Sequence, residues 1–224
     1  MAGALFLVTL VAGVFAQGFV SERLVVAGDA ARTAANIRAH LSLFRLGFAV
    51  YMIEMACQIT MTVLFYSLLK PVSKTGSLIA AVIGLVGCTV KIVSRIFFFS
   101  PALVLGGAPY LSIFDAPQLQ ALAYLFLRFN YHAETMAMVF LGLYGIVKGY
   151  LVYRSTFLPR ALGVLSAAGG LGWLTYLYEP LASRLLLVIF AVGFLGAAAL
   201  IGWLLAFGVD ERRWKDMADE SATR

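Results

Sequence analysis

The chain has 224 residues, of which 62% are hydrophobic and only 12% are charged. Soluble domains carry about a quarter charged residues, so this composition, with a mean hydropathy of +0.93, indicates an integral membrane protein. The formal net charge is +6, but the basic residues lie mostly at the ends of apolar segments, where cytoplasmic loops need them. The charge therefore indicates no nucleic-acid partner, and the length allows one compact helical domain.

Six apolar segments are long enough to cross a membrane, which takes about 20 residues. The predicted spans cover 3–20, 46–69, 77–105, 131–153, 158–178 and 185–207. The first lacks a basic start and a small-residue cleavage site, so we expect it to be retained rather than removed as a signal peptide. The predicted fold class is all-α, an integral membrane bundle of six transmembrane helices. It forms a single domain over 1–208, followed by a polar cytoplasmic tail over 209–224 that frays.

Two further segments predict short interfacial helices, over 29–45 and 115–130. The first follows a Gly-Asp start signal, and its apolar residues recur at helical spacing. These residues are Ala34, Ile37, Leu41 and Phe44. The second opens with Asp115 as a helix N-cap, followed by Pro117. It should lead into the fourth span with little or no break.

Short basic loops predict the orientation of the chain. The loops after the second and fourth spans carry Lys70 and Lys74, and Arg154 and Arg160. Lys148, near the end of the fourth span, counts with the same side. Because cytoplasmic loops carry an excess of Lys and Arg, this side is expected to be the cytoplasm. Both termini then lie there as well.

Glu54 is the least expected residue, because it lies within the apolar run of the second span. A carboxylate in hydrocarbon costs at least about 2.5–3.5 kcal/mol on insertion scales, so it is normally retained for a reason. Lys91 and Arg95 lie within the third span, and His132 and Glu134 begin the fourth. In the predicted topology all five lie in the outer half of the bundle.

Helical spacing groups these polar residues on shared faces. Glu54 lies four residues before Gln58, and Lys91 four residues before Arg95. Such faces should turn toward the bundle interior, because lipid cannot solvate them. Aromatic residues are expected at the same depth, among them Phe97, Tyr131, Trp173 and Tyr176. Together these residues predict an outward-opening cavity lined by acids, cations and aromatic rings.

The leading hypothesis is a membrane enzyme that acts on an isoprenoid-like or other lipid-like substrate. A protonated carboxylic acid can start a cyclisation, aromatic faces can stabilise the carbocation, and a second carboxylate can take the final proton. Glu54 is the predicted acid, and Glu134, Asp115 or Glu179 the partner base. The predicted substrate-binding residues are Lys91, Arg95, Arg45, His132, Tyr131, Phe97, Trp173 and Tyr176. In size and span count the chain is similar to small membrane terpene cyclases, without a shared motif.

Two other function classes stay open. Intramembrane Glu and Lys also suit the proton relay of a small proton-coupled transporter, although the inner halves of the spans show no polar path and no inverted repeat. A non-catalytic sensor or partner protein would use the charges as structural ion pairs, Glu54 with Arg95 or Lys91, or Glu134 with Lys91. A nearby cation would also oppose proton donation by either acid.

Several features have a purely structural interpretation as well. The aromatic residues would form an interfacial belt, and Asp115 would be only an N-cap. His132 would be a hydrogen-bonded structural residue, and Glu179 a solvated span end. Glycines in the last two spans would permit close helix contact. These are Gly163, Gly169, Gly170, Gly172, Gly193, Gly196 and Gly202.

Metal and cofactor chemistry has no sequence signature. Cys57 and Cys88 lie in apolar segments as packing residues, without a metal-ligand spacing. His40 and His132 are the only histidines, which excludes a multi-histidine centre. We therefore expect no cofactor and no metal. The expected partners are the membrane and a hydrophobic small molecule or lipid, and the sequence does not set an oligomeric state.

Four stretches of the chain resemble a known family. They are GDAARTAANIRAHLSLFRLG, LFYSLLKPVSKTGSLIA, FLGLYGIVKGYLVYRSTFLPRALGVL and, near the C-terminus, WLLAFGVDERRW. They are similar to the bacterial domain-of-unknown-function 4386 family over nearly the whole chain. The resemblance implies a multi-span bacterial membrane protein, and so the inner (plasma) membrane, and it carries no agreed activity. Any specific chemistry must therefore come from the polar residues within the spans.

Overall fold

The computed structural model describes residues 2–222, and all regular structure in this part of the chain is helical. Apolar segments that enter a membrane must satisfy their own backbone hydrogen bonds, which a helix does within one segment. The helices are α1 Ala2–Gly13, α2 Glu22–Leu24, α3 Ala30–Ala39, α4 Leu41–Leu69, α5 Lys74–Val104, α6 Ala116–Arg154, α7 Arg160–Leu174, α8 Glu179–Ala206 and α9 Glu211–Ala222. A π-helical segment, Val14–Ser21, joins α1 to α2, and 3-10 turns lie at Pro109–Leu111 and Thr175–Leu177.

Among the described residues, five helical stretches are long and apolar enough to cross a membrane. They are Ala2–Leu24, Leu41–Leu69, Lys74–Val104, Ala116–Arg154 and Glu179–Ala206. The segment predicted as the fifth span is different, because α7 has only 15 residues. It rises about 22 Å, less than the roughly 30 Å of a hydrocarbon core. The all-helical membrane class is confirmed, whereas the count of six spans is not.

Helix α6 confirms the predicted continuity between the second interfacial helix and the fourth span. It runs unbroken for 39 residues. Its start is fixed by a reciprocal cap between Asp115 and Gln118. The Gln118 backbone N–H donates to Asp115 Oδ1 at 2.8 Å, and the Asp115 N–H donates to Gln118 Oε1 at 2.9 Å. Two N–H groups that the helix itself cannot satisfy are thereby paired, so Asp115 is an N-cap as predicted.

The predicted interfacial helix over 29–45 is wrong at its C-terminal end. Helix α3 begins as expected, with the Asp29 side chain accepting a hydrogen bond from the Arg32 backbone N–H at 2.8 Å. It ends at Ala39, because His40 leaves the helical conformation at φ −126° and ψ 41°. Helix α4 then starts at Leu41, before the predicted start of the second span. The apolar stripe still packs inward, with Ala34, Ile37 and Phe44 buried.

The chain forms two compact units. Unit 1 comprises the described parts of Met1–Leu7, Cys57–Thr89 and Thr135–Arg224, and unit 2 comprises Val8–Ala56 and Val90–Glu134. The rings of Phe44 and Phe98 stack in the core of unit 2, with their centroids 4.7 Å apart. The remaining buried residues of that core are Ala16, Val20, Leu24, Ile37, Tyr51, Ala102 and Leu127. The core of unit 2 therefore combines the π-helical segment with α3, α4, α5 and the start of α6.

Glycines allow α6 and α7 to touch backbone to backbone within unit 1. A Cβ atom on Gly163 would lie 2.6 Å from the Gly149 carbonyl oxygen. Gly170 faces the Gly142 carbonyl oxygen in the same way, at 2.5 Å. The prediction of close glycine contacts is confirmed here. Between α7 and α8 the contacts are looser, with nearest distances from an added Cβ atom of 3.1 to 3.6 Å at Gly169, Gly172, Gly193 and Gly196. The prediction is wrong at Gly202, where a Cβ atom would meet nothing within 4 Å.

The polar tail was predicted to fray, and this prediction is wrong. Its described part forms α9 and packs against unit 1. The indole Nε1 of Trp214 donates to the Leu68 carbonyl oxygen at 2.9 Å, and Trp214 packs against the apolar core of unit 1. Arg213 donates to the Thr156 carbonyl oxygen at 3.2 Å. On the exposed side, a hydrogen bond from Lys215 lowers the pKa of Glu211. Residues 223–224 of the predicted tail lie outside the described residues.

Substitution of Gly163 by alanine should destabilise the protein, because the added methyl group would overlap the backbone of Gly149. Overpacking of this kind costs about 1–3 kcal/mol, which should lower the midpoint of thermal unfolding in detergent. Gly202→Ala is the matched control, since its new methyl group enters open space and should leave the midpoint no lower. Equal midpoints for the two variants would contradict the close packing of α6 against α7.

Candidate functional site

Two buried ion pairs form the polar centre of unit 2. Glu54 on α4 and Lys91 on α5 make the first pair, in which Lys91 Nζ donates to Glu54 Oε1 at 2.6 Å. The two side chains are only 4% and 8% exposed, respectively. Withdrawing an ion from water costs several kcal/mol, and a close partner of opposite charge offsets much of that cost. Glu54 is therefore half of a salt bridge rather than an isolated acid.

Arg95 on α5 and Glu134 on α6 form the second pair. Arg95 Nη2 donates to Glu134 Oε1 at 2.6 Å, and Nη1 lies 3.3 Å from Glu134 Oε2. Nη1 also lies 3.3 Å from the side-chain oxygen of Asn130. Such two-point contact between a guanidinium and a carboxylate fixes orientation as well as distance. The Arg95 side chain is 0% exposed and that of Glu134 17%, so this pair is anchored at its Arg95 end.

The structure selects among the predicted pairings of acids and cations. The pairing of Glu54 with Lys91 was one of two predicted alternatives and is confirmed. The expected pairing of Glu134 with Lys91 is wrong, because Glu134 binds Arg95. Lys91 and Arg95 are one helical turn apart, which puts them on one face of α5. Spacing alone does not show that Lys91 meets a residue of α4 whereas Arg95, one turn further along, meets a residue of α6.

Tyr51 covers the guanidinium of Arg95 and extends the cluster toward the first span. The Arg95 Cζ atom lies 3.6 Å from the ring centroid of Tyr51. The Tyr51 hydroxyl donates to Gln17 Oε1 at 2.7 Å, with Ser21 Oγ 3.4 Å from that hydroxyl. Gln17 and Ser21 belong to the π-helical segment, a backbone form that is frequent at functional sites. A desolvated cation–π contact contributes about 2 kcal/mol or more, so Tyr51 is a substantial part of the cluster.

Sequence reasoning missed three members of this cluster, and helical spacing offered a signal for two of them. Tyr51 precedes Glu54 by three residues, and Asn130 precedes Glu134 by four. Residues at these separations share a helix face. Gln17 offered no comparable signal, because its partner Tyr51 lies 34 residues away in the chain.

Two polar atoms of the cluster are buried without a hydrogen-bond partner among the described residues. They are Glu54 Oε2, an acceptor, and Arg95 Nε, a donor. Buried polar atoms are normally paired, so each unpaired atom of this kind requires an explanation. Glu54 therefore holds Lys91 with one oxygen and presents a second oxygen that can accept a proton or a ligand N–H or O–H group.

The other predicted site residues of unit 2 comprise one ring in an aromatic cluster and four exposed side chains. Phe97 packs among aromatic rings, 5.8 Å from Phe129 and 6.4 Å from Phe126 between centroids. The other four side chains are exposed, and they are those of Arg45, Asp115, Tyr131 and His132. The exposed His132 lies beside Arg128, with 3.5 Å between Arg128 Nη2 and His132 Nε2.

Three predicted site residues belong to unit 1. Trp173 stacks on Tyr176 with 5.9 Å between centroids, and its ring also meets Phe190 edge-on at 5.6 Å. Glu179 is the first residue of α8 and is exposed, as the interpretation of a solvated span end predicts. Trp173 and Tyr176 thus act as packing residues at the end of α7.

Lys148 is buried in unit 1, within α6, rather than lying in a connection between helices as predicted. Its side chain lies on α6, and the residue is only 6% exposed. The ammonium lies 5.0 Å from the ring centroids of Phe65 and Tyr144 and 5.6 Å from that of Phe6. No carboxylate pairs with it among the described residues. Three aromatic faces therefore replace the counter-ion that the other two buried cations have.

Within residues 2–222, no group of three or more His, Cys, Asp or Glu side chains is placed to hold a metal ion. Cys57 and Cys88 form no disulfide, and Cys88 is buried. The chemistry available at the cluster is therefore that of carboxylates, an ammonium, a guanidinium and a phenol.

Comparison with known proteins identifies a family and no activity. The sequence profile of a family described as "Domain of unknown function (DUF4386)" matches residues 1–208. No curated protein and no solved structure matched the chain. The match covers both buried ion pairs and Lys148.

Removal of one partner from the Glu54–Lys91 pair should be strongly destabilising. Glu54→Gln and Lys91→Met should each cost about 3–5 kcal/mol, because each leaves its former partner buried without a counter-ion. The double variant should recover much of this loss, since it buries no unpaired charge. Unfolding midpoints in detergent measure the coupling, with Glu179→Gln as an exposed control. Strictly additive losses would contradict a stabilising contact between the two residues.

Two substitutions at Tyr51 should separate its hydrogen bond from its ring contact. Tyr51→Phe removes the hydroxyl, with its hydrogen bond to Gln17 and its contact with Ser21, and should cost about 1 kcal/mol. Tyr51→Leu also removes the aromatic face above Arg95 and should cost about 2 kcal/mol more. The measurement is again the unfolding midpoint in detergent. If the two variants unfold at the same temperature, the contact between ring and guanidinium contributes nothing to stability.

Proposed function

The chain belongs to the DUF4386 family, and we propose that it is a small proton-coupled membrane carrier whose buried Glu54–Lys91 pair is the protonation site. One observation carries this proposal. Glu54 accepts a hydrogen bond from Lys91 through Oε1, while Oε2 of the same carboxylate is buried without a partner. A buried acceptor with an unused oxygen is a suitable place for a proton to bind.

Protonation of Glu54 would change the contact between α4 and α5. A proton on Oε2 neutralises the carboxylate and leaves Lys91 without a counter-ion, although Lys91 is only 8% exposed. An unpaired buried ammonium is costly, so Lys91 must either find another partner or lose its own proton. Either response couples the binding of one proton to a change at the helix contact, which a proton-driven carrier requires.

The second ion pair suits a different role, because arginine and lysine differ in chemistry. A guanidinium keeps its charge throughout the physiological pH range, whereas a buried lysine can lose its proton. Arg95 also has three further contacts, since Tyr51 stacks on it, Asn130 contacts Nη1, and Glu134 binds it at two points. In the proposed carrier, Glu134–Arg95 therefore holds α5 to α6 while Glu54–Lys91 responds to protons.

Acid-initiated cyclisation of an isoprenoid, the leading hypothesis from the sequence, is the weaker candidate. A general acid must donate a proton to the substrate, whereas Glu54 and Glu134 both accept hydrogen bonds from cations. The aromatic ring that packs on the cluster is Tyr51, and it already covers Arg95. The transport experiment below also distinguishes two other roles, which are cyclase or isomerase activity and a purely structural role of the charges.

The side from which a proton enters depends on the membrane topology. We propose that the chain crosses the inner membrane six times. An even number of crossings places both termini on the same side, and the basic loops favour the cytoplasm for that side. Helix α7 and the following turn Thr175–Leu177 together rise about 28 Å, close to the thickness of a hydrocarbon core. This near match supports α7 as the additional crossing.

Protonation of Glu54 can be tested without knowledge of the cargo. Infrared difference spectra of the full chain in lipid should show a protonated-carboxyl band when the pH is lowered. The part of this band that a buried carboxyl contributes should be missing in Glu54→Gln and kept in Glu179→Gln, which removes an exposed acid. Persistence of the whole band in Glu54→Gln would overturn Glu54 as the protonation site.

Transport is tested in liposomes that contain a pH-sensitive dye and carry an imposed pH gradient. A panel of small polar solutes is added, and the proton flux that each solute induces is recorded. We expect at least one solute to collapse the gradient through the wild type, with at least a tenfold slower rate in Glu54→Gln. Conversion of an added isoprenoid that is lost in Glu54→Gln would instead support the enzyme. If Glu54→Gln lowers only the melting temperature, the charges are structural.

A further inference from the structure

We infer that Lys148 binds the anionic head group, carboxylate or phosphate, of a lipid-like molecule. The charge of Lys148 lies apart from the acids of the chain. Lys148 is 94% buried, as its 6% exposure implies, and it makes no ion pair with an acid among the described residues. The other two buried cations, Lys91 and Arg95, each have a carboxylate at 2.6 Å. Lys148 therefore stands apart as a buried cation that lacks an anion.

The aromatic surroundings stabilise the ammonium of Lys148 only in part. Three ring faces lie 5.0 to 5.6 Å from Nζ, those of Phe65, Tyr144 and Phe6. The negative face of an aromatic ring attracts a cation, but it leaves the three strong N–H donors of an ammonium without a strong acceptor. Anionic oxygens are the acceptors that such a group binds best.

The apolar packing around Lys148 indicates what the anion is attached to. Phe65 and Tyr144 belong to the buried core of unit 1, together with Leu151 and Val152, and Phe6 packs against that core. A small hydrated ion would lose its water here with only the Lys148 ammonium to compensate. An acyl or alkyl chain, in contrast, would find apolar contacts beside the charge. The site is therefore matched to an amphiphile with one anionic end.

The test uses the full chain in an uncharged detergent and four probes. Dodecanoate and dodecyl phosphate carry the two candidate head groups on the same chain, dodecanol is the uncharged control, and inorganic phosphate is the ion without a chain. We expect at least one of the anionic amphiphiles to raise the unfolding temperature of the wild type, with dodecanol and inorganic phosphate having no effect. The head group that gives the larger shift distinguishes a carboxylate ligand from a phosphate ligand.

Substitutions then locate the binding. Lys148→Met should weaken binding of the preferred amphiphile at least tenfold, whereas Lys148→Arg should retain most of it. Lys70→Met is the matched control, because Lys70 is a basic residue with an exposed side chain, and it should bind as the wild type does. Lys148→Met should fold, since methionine fills a similar volume without a buried charge.

A second measurement is independent of the variants. Labelling of Lys148 in the wild type by an amine-reactive reagent, read by peptide mass spectrometry, should fall at least fivefold when the preferred amphiphile is bound. Labelling of Lys70 should not change. Unaltered binding in Lys148→Met, a shift by dodecanol equal to that by the anions, or no protection of Lys148 would each overturn the inference. A shift by inorganic phosphate alone would overturn the lipid-like part of it.

Discussion

The cost of burying a charge without a partner is the constraint on which the polar structure of this protein depends. Glu54 can remain 4% exposed because Lys91 holds one of its oxygens, and Arg95 can be fully buried because Glu134, Asn130 and Tyr51 surround it. Each pair joins two helices, so the charges that are least compatible with an apolar bundle also specify how α4, α5 and α6 meet in unit 2. Such specification is a well-attested role of buried polar groups.

The protein uses two different means of keeping a cation in its interior. In unit 2 the cations are paired with carboxylates, and in unit 1 Lys148 lies among three aromatic rings. The difference has chemical consequences. A carboxylate paired with lysine can bind a proton in place of its contact with the ammonium. An ammonium surrounded by aromatic rings has no such contact to lose and still lacks an anion. The proposed proton response and the proposed lipid-like ligand follow from these two environments separately.

Much of the fold could be predicted from the sequence because hydrophobic segments and local caps act over short distances. The continuity of α6 and the Asp115 cap are of this kind. The errors arose where distant contacts decide the structure. No Gly or Pro marks the break at His40, and the tail is held by a hydrogen bond from Trp214 to Leu68, 146 residues away in the chain. Lys148 was misplaced for the same reason, since its three rings come from α1, α4 and its own helix.

For the candidate site, the sequence by itself determined the class of protein, the four residues that form the two ion pairs, and the common face of Lys91 and Arg95. It could do so because hydropathy and helical period are local properties. Only the tertiary structure decided that Lys91 meets Glu54 and Arg95 meets Glu134, and that Tyr51 and Gln17 complete the cluster. The helical period sets which residues share a face, whereas the neighbour that each level of that face meets depends on the packing of the other helices.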